Sequence, residues 1–151
     1  GEIVSFDTDM VGPYGYCADI SRTYVEGNKF SDNQKKLYSM AVEQIHHNAR
    51  LIKPGMSFKE FTEKSWVLPE EYYGNRYSVM VHGIGLCDEW PAIRYPTDGG
   101  ERSGRFETNM TITVESYIGK VGGNEGVKLE QQYLVGKNNL ELMSHHPLED
   151  I

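Results

Sequence analysis

Five acidic residues sit inside or beside runs that otherwise read as β-strands, and this placement constrains the fold more than any other feature of the chain. Asp7 and Asp9 follow the apolar run Ile3, Val4 and Phe6. Asp19 lies in the alternating stretch from Tyr16 to Val25, Glu115 in the stretch from Met110 to Tyr117, and Glu130 in the stretch from Val127 to Val135. Strands are normally depleted in Asp and Glu. Any one of these acids alone reads as solvated surface. Converging as a set, they repel one another and stay ionised together only beside a cation.

Turn signals pair the strands. Val11-Gly12-Pro13-Tyr14-Gly15 joins the first two into a hairpin, and Gly122-Gly123-Asn124-Glu125-Gly126 joins the last two. The first hairpin then holds Asp7, Asp9 and Asp19, with Asp7 and Asp9 on one face because strand side chains repeat every second residue. The second brings Glu115 to Glu130. Tyr77 to Val81 reads as a further strand, leading to His82. Hard carboxylate oxygens with one imidazole suit Mn, Fe, Co or Zn as a carboxylate-bridged pair.

Two helices fill the middle of the chain. Ser31-Asp32-Asn33-Gln34 is a capping box, followed at helical spacing by Leu37, Ala41, Ile45, Ala49 and Ile52, and stopped at Lys53-Pro54-Gly55. Ser57-Phe58-Lys59-Glu60 is a second capping box opening a short helix that ends before Pro69. The expected fold is α+β, an antiparallel sheet with two helices packed on one face. Residues 94–105 read as a polar loop. Residues 1–143 form the domain, and 144–151 a loose polar tail.

Composition narrows the partners. The 151 residues carry a net charge of −7, which disfavours nucleic acid and anionic membrane surfaces. No apolar stretch is long enough to span a bilayer, and no signal-peptide pattern opens the chain. The two cysteines, Cys17 and Cys87, are not in a C-x-x-C spacing. They fit a reducing cytoplasm, with Cys87 expected to be buried and inert. The adjacent His46 and His47 cannot share a helix face, so no metal pair is expected there.

Four motifs in order carry a family resemblance. Asp7-Thr8-Asp9 followed by Gly15-Tyr16-Cys17-Ala18-Asp19-Ile20-Ser21-Arg22-Thr23 resembles the aspartate hairpin of the pita-bread enzymes. That superfamily includes methionine aminopeptidases, proline-specific peptidases and creatinases. Val81-His82-Gly83-Ile84-Gly85-Leu86 resembles their metal-histidine segment. Thr113-Val114-Glu115 and Gly126-Val127-Lys128-Leu129-Glu130 resemble their glutamate segments. The resemblance implies the C-terminal half of a pita-bread domain, holding two metal ions. It also implies a fragment, opening at Gly1 without the first half of that domain. Unpaired strand edges then favour a homodimer or larger assembly.

Three departures from the peptidases point to one branch. Glu89 stands seven positions after His82, where the peptidases usually keep a second histidine. Glu115 is followed by Ser116 rather than proline. Asp7 and Asp9 both precede Asp19, where the peptidases have one aspartate. These features resemble the dimethylsulfoniopropionate lyases built on this fold. That branch implies metal ligands at Asp7, Asp9, Asp19, His82, Glu115 and Glu130, usually holding iron, with manganese, cobalt or zinc as other candidates. It implies Asp88 as general base and Tyr77 in the active site. Trp90, Tyr77 and Tyr95 are candidate aromatic faces for a sulfonium cation. The implied activity is a metal-dependent lyase acting on a small molecule. The alternatives are a metallopeptidase of the Xaa-Pro or methionine type, a hydrolase of ectoine-like compounds, and a non-catalytic pita-bread module.

Overall fold

The computed structural model describes residues 1–100 and 103–148. Its strands are β1 (Ile3–Asp7), β2 (Met10–Val11), β3 (Cys17–Ala18), β4 (Ser21–Val25), β5 (Val79–Gly83), β6 (Ala92–Arg94), β7 (Thr111–Gly119), β8 (Gly126–Val135) and β9 (Leu140–Leu142). Its helices are α1 (Asp32–Leu51), α2 (Phe58–Lys64) and the single turn α3 (Glu70–Tyr73). A five-stranded antiparallel sheet runs in the order β6-β5-β7-β8-β9. β1 pairs with β4, and β2 with β3, as two small antiparallel ribbons.

The two faces of the large sheet have opposite characters, as period-2 alternation requires. On one face, Ile112, Val114 and Ile118 of β7 join Val127, Leu129 and Val135 of β8 in the core, with Leu37, Tyr38, Ala41 and Ile45 of α1. Phe58 and Phe61 of α2 extend this core, each edge-on to Phe106 at 5.0 and 5.6 Å between ring centroids. Both main helices therefore lie on one side, as the apolar spacing predicts. On the other face, Glu115 sits directly across from Glu130 in register.

Local signals explain the helix starts. Ser31 and Gln34 cap α1 reciprocally, side chain to backbone both ways. At α2 only half the expected box forms. Ser57 Oγ accepts from Glu60 N–H, while the Glu60 carboxylate turns to Lys64 Nζ at 2.7 Å.

Three expectations are corrected here. The second strand of the first hairpin is broken, because Asp19 and Ile20 leave the ladder between β3 and β4. Asp9 is outside any strand, with φ at +30°, so strand alternation does not set its direction. The tail is anchored rather than loose through residue 148. Arg22 is 3% exposed, and its guanidinium donates to the carbonyls of His146 and Pro147. Ser144 donates to Gln131 Oε1, so the tail's main chain and side chains satisfy buried partners. The remaining tail residues, 149–151, and residues 101–102 of the expected loop lie outside the described residues.

Candidate metal centre

Three strands and the first hairpin deliver the site. β5 carries His82, β7 and β8 carry Glu115 and Glu130, and the broken first hairpin carries the aspartates. His82 Nδ1 donates to the Gly83 carbonyl at 3.0 Å, which turns Nε2 towards the acids. Nε2 lies 3.2 Å from Glu130 Oε1, 3.8 Å from Glu115 Oε1 and 3.8 Å from Asp19 Oδ2. His82, Asp19, Glu115 and Glu130 are all buried.

Two overlapping groups could each hold a metal ion. Ligand atoms of Asp19, His82 and Glu130 lie within 4.8 Å of one another, and so do those of Asp7, Asp9 and Asp19. Asp19 belongs to both, the arrangement a bridging carboxylate needs. The left-handed conformation of Asp9, which strand reasoning did not foresee, is what turns it back towards Asp19. Its N–H donates to Asp19 Oδ1 at 3.4 Å. The donor set suits a cation on a second ground. Glu115 Oε1 is buried and has no hydrogen-bond partner, although an unpaired buried carboxylate oxygen is costly. A metal ion beside His82 Nε2 would satisfy it.

Electrostatics reflect the crowding. Burial, reinforced by the charges of Glu130, Asp7 and Asp9, pushes Asp19 up to about 8. Burial raises Glu115 to about 7 against the pull of Lys128 and His82. Burial works against charge on His82, but the Glu130 hydrogen bond and the neighbouring carboxylates overcome it and raise the imidazole to about 9. Burial opposes charge on Glu130 too, yet the His82 hydrogen bond and the Lys128 ammonium hold it down at about 2. The acids share too few cations for all to ionise, so the site has a strong appetite for positive charge.

Two site residues were not anticipated. Ser21 Oγ lies 2.7 Å from Asp7 Oδ1 and 2.9 Å from Glu130 Oε2, between an acid of the β1–β4 ribbon and one of the large sheet. Lys128 Nζ lies 2.6 Å from Glu115 Oε2. Its signal was available, since residues 128 and 130 of one strand share a face.

The expected substrate residues are spread more widely. Asp88 and Trp90 lie on the connection between β5 and β6. Asp88 Oδ1 accepts the N–H of Glu89 at 2.9 Å, and Trp90 is 62% exposed. Tyr77 donates to Glu89 Oε1 at 3.3 Å, and its ring covers Lys128 Nζ at 4.8 Å. Tyr77 also lines a pocket of about 400 Å³ with Asp7, Lys128 and Tyr117. Tyr95 is not part of the site: it is buried in the core and bonded to Gln44. Cys87 is exposed, contrary to expectation, because it lies in a surface connection with exposed Leu86, Glu89 and Trp90.

Residues 1–137 match the metallopeptidase family M24, and the chain belongs to that family. Its fold is the C-terminal part of a pita-bread domain. Within the family, it is 39% identical over 152 residues to the dimethylsulfoniopropionate lyase DddP of Roseovarius nubinhibens, covering 98% of this chain and 34% of that protein. Identity to DddP of Roseobacter denitrificans is 38%, over the same shares of each chain. The prolidase of Pyrococcus horikoshii superposes with a TM-score of 0.79 at 26% identity, covering 99% of this chain and 42% of that one. The chain spans about a third of the length of the lyases it matches.

Proposed function

We propose that this chain is the metal-binding part of a lyase that cleaves dimethylsulfoniopropionate to dimethyl sulfide and acrylate, or acts likewise on a closely similar onium acid. The metal part of this reading is carried by Asp19, shared by two groups of ligand-competent side chains, one with His82 and Glu130 and one with Asp7 and Asp9, and the lyase part is supported by the 39% identity to DddP. Glu115 completes the first group. The metals are two divalent or trivalent ions, with iron favoured and manganese, cobalt or zinc able to substitute. When bound, they would withdraw electron density from the substrate carboxylate and acidify the adjacent carbon.

The residues then divide the work. Asp88 takes the proton alpha to the carboxylate, those electrons form the new double bond, and the bond from carbon to sulfur breaks. Dimethyl sulfide leaves as a neutral molecule, acrylate keeps the carboxylate, and the proton resides on Asp88. Tyr77 and Trp90 offer aromatic faces to the sulfonium. The Tyr77 face already covers the ammonium of Lys128, which supports its affinity for cations.

A second reading, a metallopeptidase of the Xaa-Pro type, draws support from the likeness to prolidase. Glu89 weighs against it. Its side chain accepts from Tyr77, and a carboxylate there would repel a developing oxyanion. A hydrolase of ectoine-like compounds belongs with the first reading, as another small-molecule enzyme.

Two features of setting belong to the same proposal. β1 pairs on one edge with β4, and Val4, Phe6, Met10 and Val11 around it are exposed. A second copy of the chain would cover them, which supports a homodimer. Among the described residues no helix is long and apolar enough to cross a membrane. The free thiols of Cys17 and Cys87 support a cytoplasmic location.

The test uses the full-length protein loaded with iron or manganese. Release of dimethyl sulfide is measured beside cleavage of Xaa-Pro and Met-Xaa peptides. Sulfide release without peptide cleavage is expected, and peptide turnover without sulfide release would overturn the lyase reading.

A further inference from the structure

Lys128 is a cation built into the acid cluster. Its Nζ lies 2.6 Å from Glu115 Oε2, 3.2 Å from Asp7 Oδ2 and 3.6 Å from Glu130 Oε2. The Tyr77 ring closes over it at 4.8 Å. Its main chain is fixed as well. The Lys128 N–H donates to Thr23 Oγ1, and the Thr23 hydroxyl donates to the Lys128 carbonyl. Only 9% of the residue is exposed, a degree of burial that lysine tolerates only when paired.

We propose that Lys128 is an internal counter-ion that competes with metal for these acids, lowering the metal affinity of the site while holding its ligands in place. The inference rests on the metal reading above. Two observations carry it. Lys128 touches three of the six candidate ligands, so a cation bound among them sits within a few ångströms of the ammonium. It also divides the two oxygens of Glu115. Oε2 is bonded to Nζ, and Oε1, the oxygen without a hydrogen-bond partner, faces His82 Nε2. Lys128 therefore leaves one oxygen of Glu115 to a metal.

The sign follows from comparing both states. In the metal-loaded site, a fixed ammonium close to a divalent ion is repulsive, and burial leaves that repulsion poorly screened. In the metal-free site, the same ammonium neutralises carboxylates that would otherwise repel one another. Replacing it with a neutral chain of similar length relieves the first state and destabilises the second. Both changes favour metal binding.

The experiment compares the full chain with Lys128→Met and Lys128→Arg. The dissociation constant for Mn²⁺ is measured by chelator competition from the loaded protein, and thermal unfolding is followed with Mn²⁺ and with EDTA. Lys128→Met is expected to bind Mn²⁺ tighter by about tenfold or more, since an effective dielectric near 20 leaves nearby charges strongly coupled. It should also unfold at lower temperature in EDTA and gain more from Mn²⁺ than the wild type does. Lys128→Arg keeps the charge and should stay within about threefold of the wild type in affinity. Starting from the loaded protein gives an affinity even if Lys128→Met does not fold in EDTA. A Lys128→Met affinity equal to or weaker than wild type overturns the inference alone. Wild-type protein that takes up no Mn²⁺ overturns the metal reading and the inference with it.

Discussion

Replacing Gly83 with alanine should separate the chemistry of the site from its metal binding. Gly83 follows His82 in β5, and its N–H donates to the Pro91 carbonyl at 2.9 Å. A Cβ there would lie 2.1 Å from the Trp90 carbonyl oxygen, 2.7 Å from its carbon and 2.8 Å from Pro91 Cδ. These are backbone and ring atoms, so no flexible side chain can yield. The Trp90 carbonyl must retreat by about 1.3 Å or more to reach ordinary contact. Asp88 lies two residues before that carbonyl and moves with it. Misplacement of a reacting group by about 1 Å costs on the order of 100-fold in rate. Overpacking of this kind costs roughly 1–3 kcal/mol of stability, too little to unfold most domains of this size. The assay is the kcat for dimethyl sulfide release by the full-length protein, with metal content measured on the same sample. The expected result is a drop of about 100-fold with metal content unchanged. Activity within twofold of wild type would refute the reasoning, as would metal loss in step with the activity.

Other substitutions probe separate parts of the account. Asp88→Asn should abolish elimination while leaving bound metal intact, and surviving turnover would remove Asp88 from the role of base. Arg22→Met removes the donor that the buried carbonyls of Ser21 and Glu130 accept from, and leaves Gln131 Oε1 with Ser144 as its donor. It should cost roughly 2–5 kcal/mol, about 1–3 for each neutral acceptor left without a donor, and lower the melting temperature on the order of 10 °C, and an unchanged melting curve would refute that anchoring role. Stability in EDTA should fall as pH rises from about 5 to about 9. Asp19, Glu115 and His82 all have raised values in the folded chain, at about 8, 7 and 9. Each thus contributes stability at low pH that is lost as pH climbs through its folded value. Metal affinity should rise over the same range, because ligands must shed protons to bind. A flat melting temperature across that range would contradict the crowding described for the acids.

Much of the site was legible because strand alternation is a strict geometric rule. Glu115 and Glu130 were placed face to face from two apolar runs and one glycine-rich turn, and they are register partners. His82 was joined to them by the resemblance of the segment from Val81 to Leu86, not by strand geometry. The helices were legible from their caps and from the stripe of Leu37, Ala41 and Ile45. The first hairpin was harder. Asp9 reaches the site through a positive φ, a conformation that residue type alone does not announce. The anchored tail was hidden because Arg22 holds it by the tail's own backbone carbonyls, which carry no sequence signature. α3 and β9 were too short for a periodic signal. Tyr95 was misassigned because aromatic composition does not distinguish a pocket wall from a core residue. Lys128 was overlooked for a different reason. A lysine in a strand reads as solvent-facing until its alternation with Glu130 is taken into account.

The central claim is that Asp19 is shared between two metal positions. Metal counting by elemental analysis on the full-length wild type, Asp9→Asn and Asp19→Asn proteins tests it directly. The account predicts two ions per chain in the wild type, one in Asp9→Asn and fewer than one in Asp19→Asn. A wild type that holds one ion, or an Asp19→Asn protein that holds as many as Asp9→Asn, would contradict it.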